Sequence, residues 1–113
     1  MTIRIHLTAE DLTETRFAFS PIWEVMQSFL ALGKPSRHVF HLPWMNEHRE
    51  AIAALDLAPM AALYPGGGGY LPDFTTPPPE GPYPVLEEEL ERVRSTPHDQ
   101  VAKEVRRVYE QRE

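Results

Sequence analysis

Ile22, Val25, Met26, Phe29 and Leu30 recur at i, i+3, i+4, i+7 and i+8, the spacing of one helical face. Ser20 and Pro21 stand at the head of this run. A serine side chain caps a helix N-terminus. Proline fits the first helical position because its φ is preset and its missing N–H has no partner there. Gly33 and then Pro35 close the run. The pattern predicts the organising core helix of the chain, with Phe17 and Phe19 folding back onto its first turn.

On the N-terminal side, residues 2–7 alternate, with Ile3, Ile5 and Leu7 on one face. This predicts a short half-buried strand. A lone strand needs a partner, which a dimer axis or further chain would supply. Thr8 reads as an N-cap with Glu10 and Asp11 in the first turn, where the helix dipole favours acids. A short helix over about residues 9–15 is expected, carrying Leu12 inward. Residues 35–42 read as a helical turn stopped before Pro43, because the residue before proline avoids the α region. Pro43 then opens a helix whose stripe is Trp44, His48, Ala51, Ile52 and Leu55. Pro59 starts a brief apolar helix, closed by Pro65.

The glycines at 66–69 cannot hold a helix or strand economically and read as a flexible turn. Pro72, Pro77, Pro78, Pro79, Pro82 and Pro84 follow, interspersed with Tyr70, Leu71, Phe74 and Tyr83. Such a stretch runs extended, partly as polyproline II. The apolar side chains predict a strap anchored over the helical body. Two helices close the sequence. The first is marked by Leu86, Leu90 and Val93, with Glu87, Glu88, Glu89 and Glu91 toward solvent. The second starts at Thr96-Pro97 with Asp99 as a partial capping box. Its stripe is Val101, Val105, Val108 and Tyr109, and Lys103, Arg106, Arg107 and Arg112 gather toward its C-terminal end. The expected divisions are 1–65 for strand plus helical core, 66–84 for the strap, and 85–113 for helices continuing into further chain. The expected class is mainly α, α+β at most.

Composition narrows the chemistry. The 113 residues suffice for one domain with a modest core. There is no cysteine, which removes disulfides, thiolate metal sites and thiol nucleophiles. No apolar run reaches signal-peptide or membrane-span length. A cytoplasmic protein is expected. The net charge of −6 lacks the basic stripe of a stand-alone nucleic-acid binder.

Candidate chemistry is sparse. His38, His41 and His48 with Glu47 contain zinc-ligand types. The first two straddle an expected helix stop and His48 lies on an apolar stripe, so no metal is expected. The glycine run lacks the lysine and hydroxyl of a phosphate loop. The acidic run at 87–91 reads as a solvated face. Neither a Gly-x-Ser-x-Gly elbow nor a cysteine is present, so neither an enzyme nor a cofactor is expected. The aromatic group Phe17, Phe19, Trp23, Phe40 and Trp44 reads first as core packing. The alternative is an aromatic pocket with polar handles, the make-up of a small-molecule site. Its residues would be Arg16, Phe17, Phe19, Trp23, His41 and Trp44.

Several segments together resemble one family. They are Ile5 to Leu12, Thr15-Arg16-Phe17, Ser20 to Glu24, Arg37 to Trp44, Leu55 to Pro59, Tyr70 to Phe74, Thr76 to Pro79 and Arg92 to Pro97. In this order, over nearly the whole chain, they resemble the N-terminal domain of an actinobacterial group of ArsR-type transcriptional regulators. In that family this is an N-terminal domain of uncharacterised role. The expectation for this chain is a regulatory or dimerisation domain that senses a small-molecule effector or holds a dimer, and so biases attached DNA-binding heads. In that family a winged helix follows much later, and none lies in these 113 residues. No DNA-reading residue and no metal-sensing cysteine therefore carries over. A homodimer is expected, contacting DNA only through that absent domain. The alternative is a stand-alone protein-interaction module derived from such a regulator.

Overall fold

The start of the organising helix follows its sequence signals closely. In the computed structural model, which describes residues 2–65 and 70–110, helix α2 runs Pro21–Gly33. Ser20 sits in extended backbone, and its Oγ accepts the Trp23 N–H at 3.3 Å. Ile22, Met26 and Ala31 of α2 are buried, Phe29 and Leu30 are half-buried, and Val25 is exposed. The buried stripe is thus turned slightly from the expected one.

The described residues are mainly α-helical. A short α1 (Ala9–Glu14) precedes α2. After it come 3₁₀ turns at Pro35–Arg37 and Val39–His41, then α3 (Leu42–Glu47), α4 (Arg49–Ala53) and α5 (Ala58–Leu63). A 3₁₀ turn at Asp73–Thr75 punctuates the strap before α6 (Leu86–Arg94) and α7 (His98–Glu110). Among the described residues, no helix is long and apolar enough to cross a membrane. The expected glycine turn at 66–69, Arg112 and the continuation of the last helix lie outside the described residues.

Packing centres on α2 against α6, and a charged residue makes the joint. Glu89 of α6 is 1% exposed. Its Oε1 accepts the Ser20 hydroxyl at 2.7 Å and its Oε2 accepts the Ile22 N–H at 2.8 Å. The first N–H groups of a helix have no partner inside the helix, and a negative charge there is favoured by the dipole. Ser20 and Glu89 therefore close the α2 N-terminus together. No basic side chain forms an ion pair with Glu89 among the described residues. Glu89 thus departs from the solvated face expected for the acidic run. It sits three residues after Leu86 and four before Val93, inside the apolar stripe.

The strap lies across the helical body as expected, but polar ties hold it more than aromatic anchors. The Thr75 hydroxyl donates to the Pro72 carbonyl at 2.7 Å and so must accept from the Tyr64 hydroxyl beside it. The Phe74 N–H donates to Glu104 Oε2 of α7 at 2.9 Å, and Arg92 Nη1 donates to the Pro78 carbonyl. Phe19 N–H donates to the Pro82 carbonyl at 3.0 Å, and its ring stacks on Tyr83 at 5.9 Å. From α7, the Tyr109 hydroxyl donates to the Ala62 carbonyl of α5 at 2.7 Å.

Other expectations are corrected. Residues 2–7 form no strand, because no second strand among the described residues completes a ladder. α1 forms with the expected Thr8 cap as a full capping box. Asp11 Oδ2 accepts the Thr8 N–H at 2.7 Å, and Thr8 Oγ1 accepts the Asp11 N–H at 3.1 Å. These bonds are local, and Leu12 faces solvent. The chain is not interrupted before Pro43: the 3₁₀ turn runs into α3, where Pro43 occupies the first turn, its missing N–H needing no partner. The expected stripe from Trp44 to Leu55 is divided at His48, and Met45 supplies the buried contact. Thr96 does not cap α7, since its hydroxyl donates back to the Arg92 carbonyl at 3.3 Å.

Glu89→Ala should destabilise the chain by about 3 kcal/mol, because it strips a charged acceptor from two buried donors. Glu89→Gln, which keeps one acceptor oxygen, should cost roughly half as much. Denaturant titrations followed by far-ultraviolet circular dichroism measure both. A loss below about 1 kcal/mol for the alanine variant would contradict the capping role.

Candidate functional site

The C-terminal half of α2 and the 3₁₀ turns after it are flanked by two clefts. The smaller, about 310 Å³, is lined by Glu24, Gln27, Ser28 and Ala31 of α2 with His38, His41 and Trp44. The larger, about 610 Å³, lies between α2, the 35–37 turn and α5. Its walls include Phe29, Leu30, Leu32, Leu57, Ala61 and Tyr64, with Gln27, Lys34, Arg37 and His38 also lining it. Gln27 and His38 border both clefts. The prolines and 3₁₀ turns after Gly33 keep this segment from continuing α2, and the chain folds across the helix end.

The sequence-derived pocket residues are distributed over three places. His41 and Trp44 come together in the smaller cleft. Trp23 lies on α2, half-exposed, and Phe19 stacks on Tyr83 of the strap. Arg16 donates from Nη1 to the carbonyls of Thr13 and Thr15, at 2.6 and 2.9 Å. Phe17 beside it is 90% exposed. The aromatic group does not form the expected core either: Phe17, Phe19 and Phe40 all project from the surface. Phe17 and Phe19 lie in the non-helical chain before α2, and Phe40 lies in the short 39–41 turn, so no long helical face turns them inward.

The histidines pair locally. The His38 and His41 rings are 6.2 Å apart, while His48 lies 5.9 Å from the Trp44 ring. Among the described residues, no group of three or more His, Asp or Glu side chains is placed to hold a metal ion.

A second electrostatic feature ties α7 to the strap. Burial works against the charged form of Glu104. Hydrogen bonds from the Gln100 amide and from the Phe74 and Asp73 N–H groups outweigh it, holding the carboxyl below the usual glutamate value. Burial, with the nearby charges of Glu104 and Asp73, pushes the Tyr70 hydroxyl up. The Arg107 guanidinium lies 4.3 Å from the Tyr70 ring centre, a cation–π contact. Burial likewise raises the Tyr64 hydroxyl against its bond to Thr75.

Glu89, Glu104 and Arg37 are the site-shaping residues that sequence reasoning missed. The two glutamates share one signal. Leu86-x-x-Glu89-Leu90-x-x-Val93 and Val101-x-x-Glu104-Val105-x-x-Val108 repeat one register. Each places a carboxylate in the middle of an apolar stripe. Arg37 carries no such pattern, and only the fold brings it to the larger cleft.

Comparison with protein-family models, with curated proteins and with solved structures returns no match.

The lowered Glu104 pKa fixes a pH dependence. A carboxyl whose folded value lies below its unfolded value, near 4.5, contributes stability above that pH. It loses that contribution as pH falls through the folded value. The stability gap between the native chain and Glu104→Gln should therefore be constant from neutral pH to about 5 and narrow on further acidification. Urea midpoints of both proteins across that range test it, and a gap that stays constant or widens in acid would contradict the assignment.

Proposed function

We propose that this chain is the regulatory and dimerisation domain of an ArsR-like transcriptional regulator, with no DNA-binding residues of its own. The observation that carries the reading is the N-terminal arm. None of residues 2–19 is buried, and the arm presents Ile3, Ile5, Leu7, Leu12, Phe17 and Phe19 to solvent. Monomeric soluble proteins seldom expose so much apolar surface in one segment, and such surface marks an interaction site. An arm joined to the rest of the chain at the capped start of α2 is suited to lie on a second copy. Covering it in a dimer would couple the arm's position to α2, and α2 borders both clefts. A small molecule seated beside α2 would then shift the population of arm positions, and with it the spacing of attached DNA-binding heads. The acidic net charge fits a domain that leaves DNA contact to another part of the regulator.

Sedimentation velocity of the full chain from about 1 to 100 μM should show a concentration-dependent dimer. Ile5→Asp should raise the dimer dissociation constant by about tenfold or more, since one buried isoleucine side chain is worth about 1.5–3 kcal/mol. A monomer at every concentration would overturn the dimerisation reading.

A further inference from the structure

We infer that the larger cleft, between α2, the 35–37 turn and α5, binds an apolar carboxylic acid as its anion. The inference gives the sensing half of the reading above a site and a ligand class. It depends on that reading only for its regulatory consequence.

Size, wall chemistry and charge point the same way. At about 610 Å³ the cleft falls within the range of small-molecule sites, about 300–1,000 Å³. Phe29, Leu30, Leu57 and Ala61 make its walls apolar. Tyr64 adds its ring, tilted against Phe29 at 6.1 Å, while its hydroxyl is committed to Thr75. An apolar ligand body would meet apolar surface there.

The rim selects an anion. The chain carries 17 acidic against 11 basic side chains, yet no Asp or Glu lines this cleft. Arg37 and His38 border it, and Arg37 forms no ion pair with any described residue. Guanidinium groups bind carboxylates through paired, charge-assisted hydrogen bonds. The neighbouring clefts differ in this respect. The smaller one contains Glu24, and the one between strap and α6 contains Glu80, Glu88 and Glu89. Basic residues after α2 also complement its C-terminal dipole. That role needs no apolar wall beside them, and the wall is what the ligand body would cover.

Octanoate and 1-octanol separate the two halves of this site, since they share a chain and differ in charge. Isothermal titration of the full chain near neutral pH should show octanoate binding with one site per chain and more tightly than octanol. Arg37→Gln, at an exposed position, should weaken octanoate by about tenfold and leave octanol unchanged. Ala61→Phe, also exposed and projecting into the cleft, should weaken both. Absence of octanoate binding, equal affinity for the two probes, or indifference to Ala61→Phe would each overturn the assignment. Sedimentation of the same samples keeps the readings apart. A dimer that ignores octanoate overturns the cleft alone, whereas a monomer that binds it supports the cleft and overturns the dimer.

Discussion

The buried carboxylate of Glu89 joins the last third of the chain to the first turn of α2. It supplies what a helix N-terminus lacks, an acceptor for an N–H with no partner inside the helix. It also receives the hydroxyl of Ser20, whose oxygen accepts the Trp23 N–H. The core around it is small. Among the described residues, Ile22, Met26, Ala31, Met45, Tyr64, Pro72 and Val108 are buried apolar side chains. In a chain of this size hydrophobic burial is modest, so directional polar ties carry a large share of the burden of choosing one arrangement of the helices.

Glu104 repeats the device one helix later. Its carboxylate accepts the Phe74 N–H and holds the proline-rich strap against α7, as Glu89 holds α6 against α2. A strap rich in proline has few backbone donors to offer, and each exposed N–H that finds an acceptor counts for more. Thr75 and Tyr64 then fix the same turn from α5's side. The result is a set of short helices held at defined points, with α2 as the shared member.

Much of the scaffold was legible in the sequence because it is written in local signals. Ser20-Pro21, Thr8 with Asp11, the stop at Gly33 and the strap's prolines each act over a few residues and appear as expected. Glu89 and Glu104 were hidden by their residue type. A run of glutamates reads as a solvated face unless each position is placed on the helical stripe. Residues 2–7 misled in the other direction, since alternation predicts a strand only when a second strand exists to pair with. The aromatic residues stand apart because Phe17 and Phe19 lie on the exposed N-terminal arm while Trp44 lines the smaller cleft. The larger cleft draws its walls from α2, the 35–37 turn and α5, and only tertiary packing brings these together.

The central claim is that Glu89 secures the α2 N-terminus, and amide hydrogen exchange at Ile22 reads it directly. Helix-start amides ordinarily exchange quickly, because they have no partner within the helix. With its N–H on a buried carboxylate, Ile22 should exchange only through global unfolding, at the same free energy as the middle of α2. Exchange of Ile22 as fast as that of the exposed N-terminal arm would contradict the account.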